Sequence, residues 1–457
     1  MVRMGRNGER WVRASLLALL VAALVTLGFA GGGAGRALAS VAAQGAGVGH
    51  LIAADTSAEK VYIYRLPELE LTGQFDDVKL GAHAGALALP DGRVLFVDDK
   101  SMEFVVMQVG PVGAPTVKRA SIPTPTPFGR VAWGGADPSL RYFAVSSDDP
   151  DAANQTVTLL DLETMQVGQL QIELKRNRNN VYEELHPYLA GSPLTLYVTA
   201  GEEIRAFLVA DVMSGTAQPV GVVAIDPDPH GPVVSTELNR LYVTTNNGIN
   251  VLDLAGNQLQ QPRVIPWEAG GVRTTRNARP RLSYDGGYIY GAVVGVRTPA
   301  LAPEEWADGV AYVHVADLRT ETRGLIRLGR GVIGRFQLSE PYALFSNVHP
   351  DGDAALLLDV RPTSPTFQQV VARIPLEKLT NGPVAGQSVT GKEARSVAIA
   401  PDGAWAFVSH GGDGRISAID TATRSVVRTI ELPTPMKGGG YMVAVQVGSP
   451  VIDPFAR

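Results

Sequence analysis

The chain has 457 residues, 45% of them hydrophobic and 19% charged, with 50 Gly, 31 Pro and no Cys. Such a length fits two or three compact domains or one large repeat domain, and the missing cysteine excludes disulfides, thiolate metal sites and a lipidated N-terminal cysteine. A net charge of −5 without any basic run argues against nucleic acid as a partner.

At the N-terminus Arg3, Arg6, Arg10 and Arg13 precede an apolar run from Leu16 to Ala30, and Ala37-Leu38-Ala39 forms a small-x-small site before Ser40. This is the pattern of a secretory signal peptide over residues 1–39. An uncleaved anchor is the alternative, although the run is shorter than the roughly 20 residues a spanning helix needs. Cleavage removes five Arg and one Glu, takes the net charge from −5 to −9, and leaves no membrane span. The expected division is a signal peptide at 1–39, a short linker at 40–47, a repeat domain at 48–448 and a tail at 449–457.

Beyond the leader no long stretch keeps a 3.6-residue period, and the body reads as all-β. Short apolar strands ending in segments such as "LYVT" or "FVS" recur, and their last apolar residues are Ala54, Val97, Val145, Val198, Val243, Gly291, Phe345 and Val408. Their spacings of 43 to 63 residues suit a repeated four-stranded unit with loop insertions. The units after the first span about 81–122, 128–174, 184–225, 229–266, 278–329, 333–376 and 393–432. The first unit lacks an inner strand, and "GGGYMVAVQVG" from Gly438 to Gly448 is left over to supply it, which pairs two edges that would otherwise invite aggregation. Two insertions stand out, Arg297 to Gly309 and the linker "LEKLTNGPVAGQSV" before the last unit.

The clearest copy is residues 391–432, where Asp402-Gly403, Asp413-Gly414 and Thr421-Ala422-Thr423 separate four period-two runs. "AIAPDGAWAFVSH" with "ISAIDTATRSVV" resembles the YVTN-type β-propeller repeat, within the wider group of quinoprotein amine dehydrogenase-like and lactonase-like propellers. The resemblance extends more weakly to "LALPDGRVLFVDD", "NRLYVTTNNGINVLDL" and "LSYDGGYIYGAVV". It implies a propeller of four-stranded antiparallel blades, eight by the marker count and seven if the weak seventh unit is spread over its neighbours, in an extracytoplasmic setting. It does not imply a function, because this repeat serves enzymes, binding proteins and scaffolds alike.

A pattern falls at the head of each inner strand: His83, Arg130, His186, His230, Arg279, Arg335 and Arg395, with Lys437 comparably placed before the closing strand. Pointing inward, these residues would form a cationic collar that favours a small anionic ligand or an acidic protein partner. The structural alternative is that they fix turns by pairing with acids after the second strands, among them Asp98, Asp99, Asp148, Asp149, Asp353 and Asp413. A metal site would have to draw on His83, His186 and His230, none of which has metal-ligand spacing. A lactonase-like hydrolase or an amine-dehydrogenase-like subunit is the enzyme alternative; "DPDPHGPVV" and Glu183-Glu184 are its faint support, without any nucleophile elbow or phosphate loop. The expectation is an exported, monomeric binding module without a cofactor.

Overall fold

The computed structural model describes residues 49–81, 85–110, 115–123, 131–147, 152–175, 182, 185–254, 259–267, 278–293, 302–389 and 391–449. The leader, the linker, His83, Arg130, Asp148, Asp149, Glu183, Glu184 and nearly all of the tail lie outside these residues, as does the side chain of Arg279.

The strands assemble into eight four-stranded antiparallel sheets, so the chain is an eight-bladed β-propeller. Blades 2 to 8 are consecutive in sequence, at 85–121, 131–173, 186–224, 230–265, 278–330, 332–376 and 397–431. Blade 1 combines residues 50–76 with the C-terminal strand Tyr441–Val445 as its inner strand. That strand pairs antiparallel with His50–Asp55, Ile52 opposite Val443. The join is reinforced where the Asp55 carboxylate accepts the Met436 N–H at 2.7 Å and the Tyr62 hydroxyl meets Thr434 Oγ1 at 3.0 Å. Every marker residue falls in the second strand of its blade.

Each blade is covered on both faces by its neighbours, so its middle strands are apolar at consecutive positions. The third strand of blade 7, Asp353–Asp359, is buried throughout, whereas the outer strand Val167–Glu173 of blade 3 alternates between core and solvent. The pleat sends successive side chains to opposite seams. In blade 2, Val94 and Phe96 join the cluster shared with blade 1, while Leu95 and Val97 join the one shared with blade 3. Eight such clusters occupy the eight seams, which makes each blade's stability depend on both neighbours.

The turns follow the residues that the sequence offers. Gly403 takes φ +69° after Asp402, and a Cβ there would overlap Pro341 of blade 7. Between third and outer strands an aspartate caps the turn: Asp420 accepts the N–H groups of Ala422 and Thr423 at 2.8 and 3.1 Å, and Arg424 then adopts φ +56°. Asp161 and Asp317 do the same in blades 3 and 6.

The two long insertions meet. The 3₁₀ turn Pro303–Asp308 of blade 6 seats Trp306, 1% exposed, against Val332, Val348 and Val389. Its indole N–H is shared between the carbonyls of Val384 at 3.3 Å and Gln387 at 3.1 Å in the linker before blade 8. Among the described residues no helix is long and apolar enough to cross a membrane.

Candidate functional site

The inner strands all begin at one rim, and in seven of the eight blades the residue just after the marker makes a side-chain hydrogen bond there. Thr199 of blade 4 accepts the His186 N–H at 3.1 Å. Thr244 of blade 5 donates to the Gly231 carbonyl at 3.1 Å. Ser346 of blade 7 accepts the Arg335 N–H at 3.0 Å, and Ser409 of blade 8 accepts the Ser396 N–H at 2.8 Å. Ser146 of blade 3 reaches across to the Leu185 carbonyl of blade 4 at 2.6 Å. In blades 1 and 2 the position is Asp55 or Asp98, which accept the N–H groups of Met436 at 2.7 Å and Lys79 at 2.8 Å. Blade 6, with Ala292 there, has no side chain for the task. The repeated Thr or Ser in "YVT" and "FVS" is the sequence signal for this role, and Asp98, one of the acids expected to fix turns, plays it in blade 2.

Strand-head side chains meet different fates. His186 and His230 come together, their ring centroids 5.6 Å apart, because blades 4 and 5 are adjacent and both heads turn toward the shared seam. His186 is 3% exposed and its Nδ1 lies 2.9 Å from Thr199 Oγ1. His230 is half-buried and precedes a bulge at Gly231, which takes φ +58° and would place a Cβ 2.9 Å from Pro280 of blade 6. The loop leading to His230 is clasped by amides. The Asp226 carboxylate accepts from Asn247 at 3.0 Å and Asn250 at 2.8 Å, and Asp228 accepts from Asn246.

Arg335 sits half-buried inside a bulge between Ile333 and Phe336. Arg395 is different: 1% exposed, it lies in the seam between blades 7 and 8 with Nη2 2.7 Å and Nε 3.1 Å from Asp353 Oδ2. Nη1 and Nη2 also donate to the carbonyls of Ser409 and Glu377, respectively. Burial pulls this guanidinium below its usual range and Asp353 pulls it back. The pairing acid is Asp353, one of those the turn-fixing alternative named, and it comes from the preceding blade. Arg279 pairs through its backbone with Ala292, while Arg281, two residues on, stacks its guanidinium 5.4 Å from the Phe336 ring centre. Lys437 is exposed before the closing strand.

Three further histidines, His314, His349 and His410, serve the walls. His349 accepts the Asp351 N–H through Nδ1 at 3.1 Å, so Nε2 donates to the Ala307 carbonyl at 3.2 Å and ties the blade 6 insertion to blade 7. His410 meets Ser417 Oγ at 2.7 Å, and burial, with Arg395 and Arg415 nearby, pulls its pKa down to about 4. His314, packed edge-on to Trp267, is likewise pulled down to about 4 by burial. Among the described residues no three His, Asp or Glu side chains are placed to hold a metal ion. The opposite rim carries a cavity of about 430 Å³ lined by Tyr284, Glu340, Arg361 and Asp402, where Arg361 is already paired with Asp359 at 2.6 Å.

No protein-family model matches the chain, and no curated protein matches it in sequence. Among solved structures it is similar to apo AztD from Citrobacter koseri, at 12% identity and a TM-score of 0.61, over 89% of this chain and 100% of that one. It is also similar to the dihydro-heme d1 dehydrogenase NirN in complex with DHE, at 15% identity and a TM-score of 0.56, over 89% of this chain and 76% of that one. Likeness at these identities shows the fold alone. On geometry and comparison together, the chain is an eight-bladed β-propeller.

Proposed function

We propose that the chain is an exported binding module that takes a small oxyanion, or the acidic side chain of a protein partner, at the strand-head rim. The observation that supports this reading is the His186–His230 pair, two imidazoles from adjacent blades held with ring centroids 5.6 Å apart where two inner strands enter the axis. Arg335 extends the site at blade 7. His83, Arg130 and Arg279 are the further candidates at matching sequence positions. Arg395 is spent on Asp353 and is left to the wall. Asp226 and Asp228, the acids nearest His230 in sequence, are engaged by asparagine amides, which favours anion binding over general-base chemistry at that ring. Export rests on the leader pattern of residues 1–39, and the module acts as a monomer.

The test is titration of the mature chain, residues 40–457, with inorganic phosphate and with succinate. Binding of either that weakens at least tenfold in a His230→Gln, Arg335→Gln double variant of unchanged melting temperature supports the site. Binding that the double variant leaves intact, or no binding of either anion, contradicts it.

A further inference from the structure

The rim hydroxyls do not all spend their hydrogen in the same way. Thr244 donates to the Gly231 carbonyl at 3.1 Å, Ser346 to the Arg335 carbonyl at 3.3 Å and Ser409 to the Gly439 carbonyl at 3.1 Å. Thr199, fully buried, has a different surrounding. Its Oγ1 accepts the His186 N–H at 3.1 Å and lies 2.9 Å from His186 Nδ1, and among the described residues it makes no other hydrogen bond. A buried hydroxyl left without an acceptor is costly, and the acceptor within reach of this one is Nδ1.

We propose that Thr199 donates to Nδ1 and so holds the neutral His186 ring in the tautomer whose Nε2 is protonated, making the blade 4–5 site select an oxyanion oxygen over a divalent metal. The selection follows from which atom carries the lone pair. An Nε2–H offers a donor to a carboxylate or phosphate oxygen. A metal needs the lone pair on Nε2, hence a proton on Nδ1 that is donated to an acceptor beside it. Thr199 would then have to turn its own hydrogen away into a buried surround, so metal binding works against the bond that the site already holds. In blade 5 the matching Thr244 hydrogen goes to a backbone carbonyl, so its hydroxyl does not set the His230 tautomer. The two rings are therefore not equivalent, and His186 is the one whose donor character is built in. This inference rests on the oxyanion reading of the same site, and Thr199 enters it as a positioning residue.

The experiment is long-range ¹H–¹⁵N NMR on the mature chain labelled at its histidines, with His186→Gln used to assign the His186 signals. The wild type and Thr199→Ser are expected to show Nε2-protonated His186, whereas Thr199→Val shows a mixture of tautomers. Inorganic phosphate is expected to bind Thr199→Val about tenfold more weakly than Thr199→Ser, and Zn²⁺ alone to bind Thr199→Val more tightly than wild type. A wild-type His186 protonated on Nδ1, or a tautomer unmoved by Thr199→Val in a folded protein, overturns the inference. An Nε2-protonated ring that responds to Thr199→Val, in a chain that binds no phosphate, keeps the tautomer assignment and overturns the oxyanion reading instead.

Discussion

Arg395 of blade 8 and Asp353 of blade 7 are joined across their seam at 2.7 Å, Nη2 to Oδ2, with both side chains withdrawn from solvent. A buried pair of this kind contributes little beyond an apolar replacement, but losing one partner strands the other charge. Asp353→Ala or Arg395→Ala is therefore expected to cost about 3–5 kcal/mol in denaturant unfolding. An Asp353→Leu, Arg395→Met double variant is expected to regain most of that loss. Single variants within about 0.5 kcal/mol of wild type, the range of an ordinary surface change, would remove the pair from the account.

Trp306 makes the second cross-link, between insertions distant in sequence. Trp306→Phe retains the apolar contact and loses the shared indole donor, at about 1 kcal/mol. Trp306→Ala empties the seat as well, and amide exchange over residues 384–389 is expected to rise while the strands of blades 2 to 4 keep their protection. Uniform loss of protection around the ring would show that the insertion is part of the fold rather than a local latch.

Gly231 is needed where it stands. Its φ of +58° disfavours any other residue, and the space for a Cβ is taken by Pro280 at 2.9 Å. Gly231→Ala is expected to destabilise by about 1–3 kcal/mol and to displace His230 from His186. A crystal structure of the variant with the ring centroids still 5.6 Å apart would contradict the assignment.

His314 and His410 bear on acid stability. Both are pulled from an ordinary 6.5 to about 4, so the unfolded chain takes up protons first as pH falls. Their contribution is full above about pH 6.5 and is lost as pH falls toward 4, at about 3 kcal/mol for each. Urea midpoints measured from pH 7 to pH 4 are expected to fall, and His410→Gln to flatten the slope. A midpoint constant over that window would refute the sign as well as the size.

The ring was legible because its signals are local and repeated. The markers Ala54 to Val408 each fall in a second strand, and the surplus run at Gly438 to Gly448 contains the strand Tyr441–Val445 that closes blade 1. The strand heads were harder to read for two physical reasons. Bulges at the heads of blades 3, 5 and 7 shift the register by one residue, which re-aims side chains that a simple alignment treats as equivalent. The deciding partners also come from other blades, as Asp353 does for Arg395 and the linker carbonyls do for Trp306, and no spacing within a repeat shows them. The hydroxyls after the markers of blades 3, 4, 5, 7 and 8 are plain in the sequence, but their role needs the hairpin geometry that folds them back onto a strand head.

The most direct measurement is native mass spectrometry with elemental analysis of residues 40–457, purified without a histidine tag. The account predicts a metal-free chain that retains or takes up one small acid, and that loses it in the His230→Gln, Arg335→Gln variant. Stoichiometric zinc or copper, lost on changing His186 or His230, would contradict it and make the blade 4–5 pair a metal site.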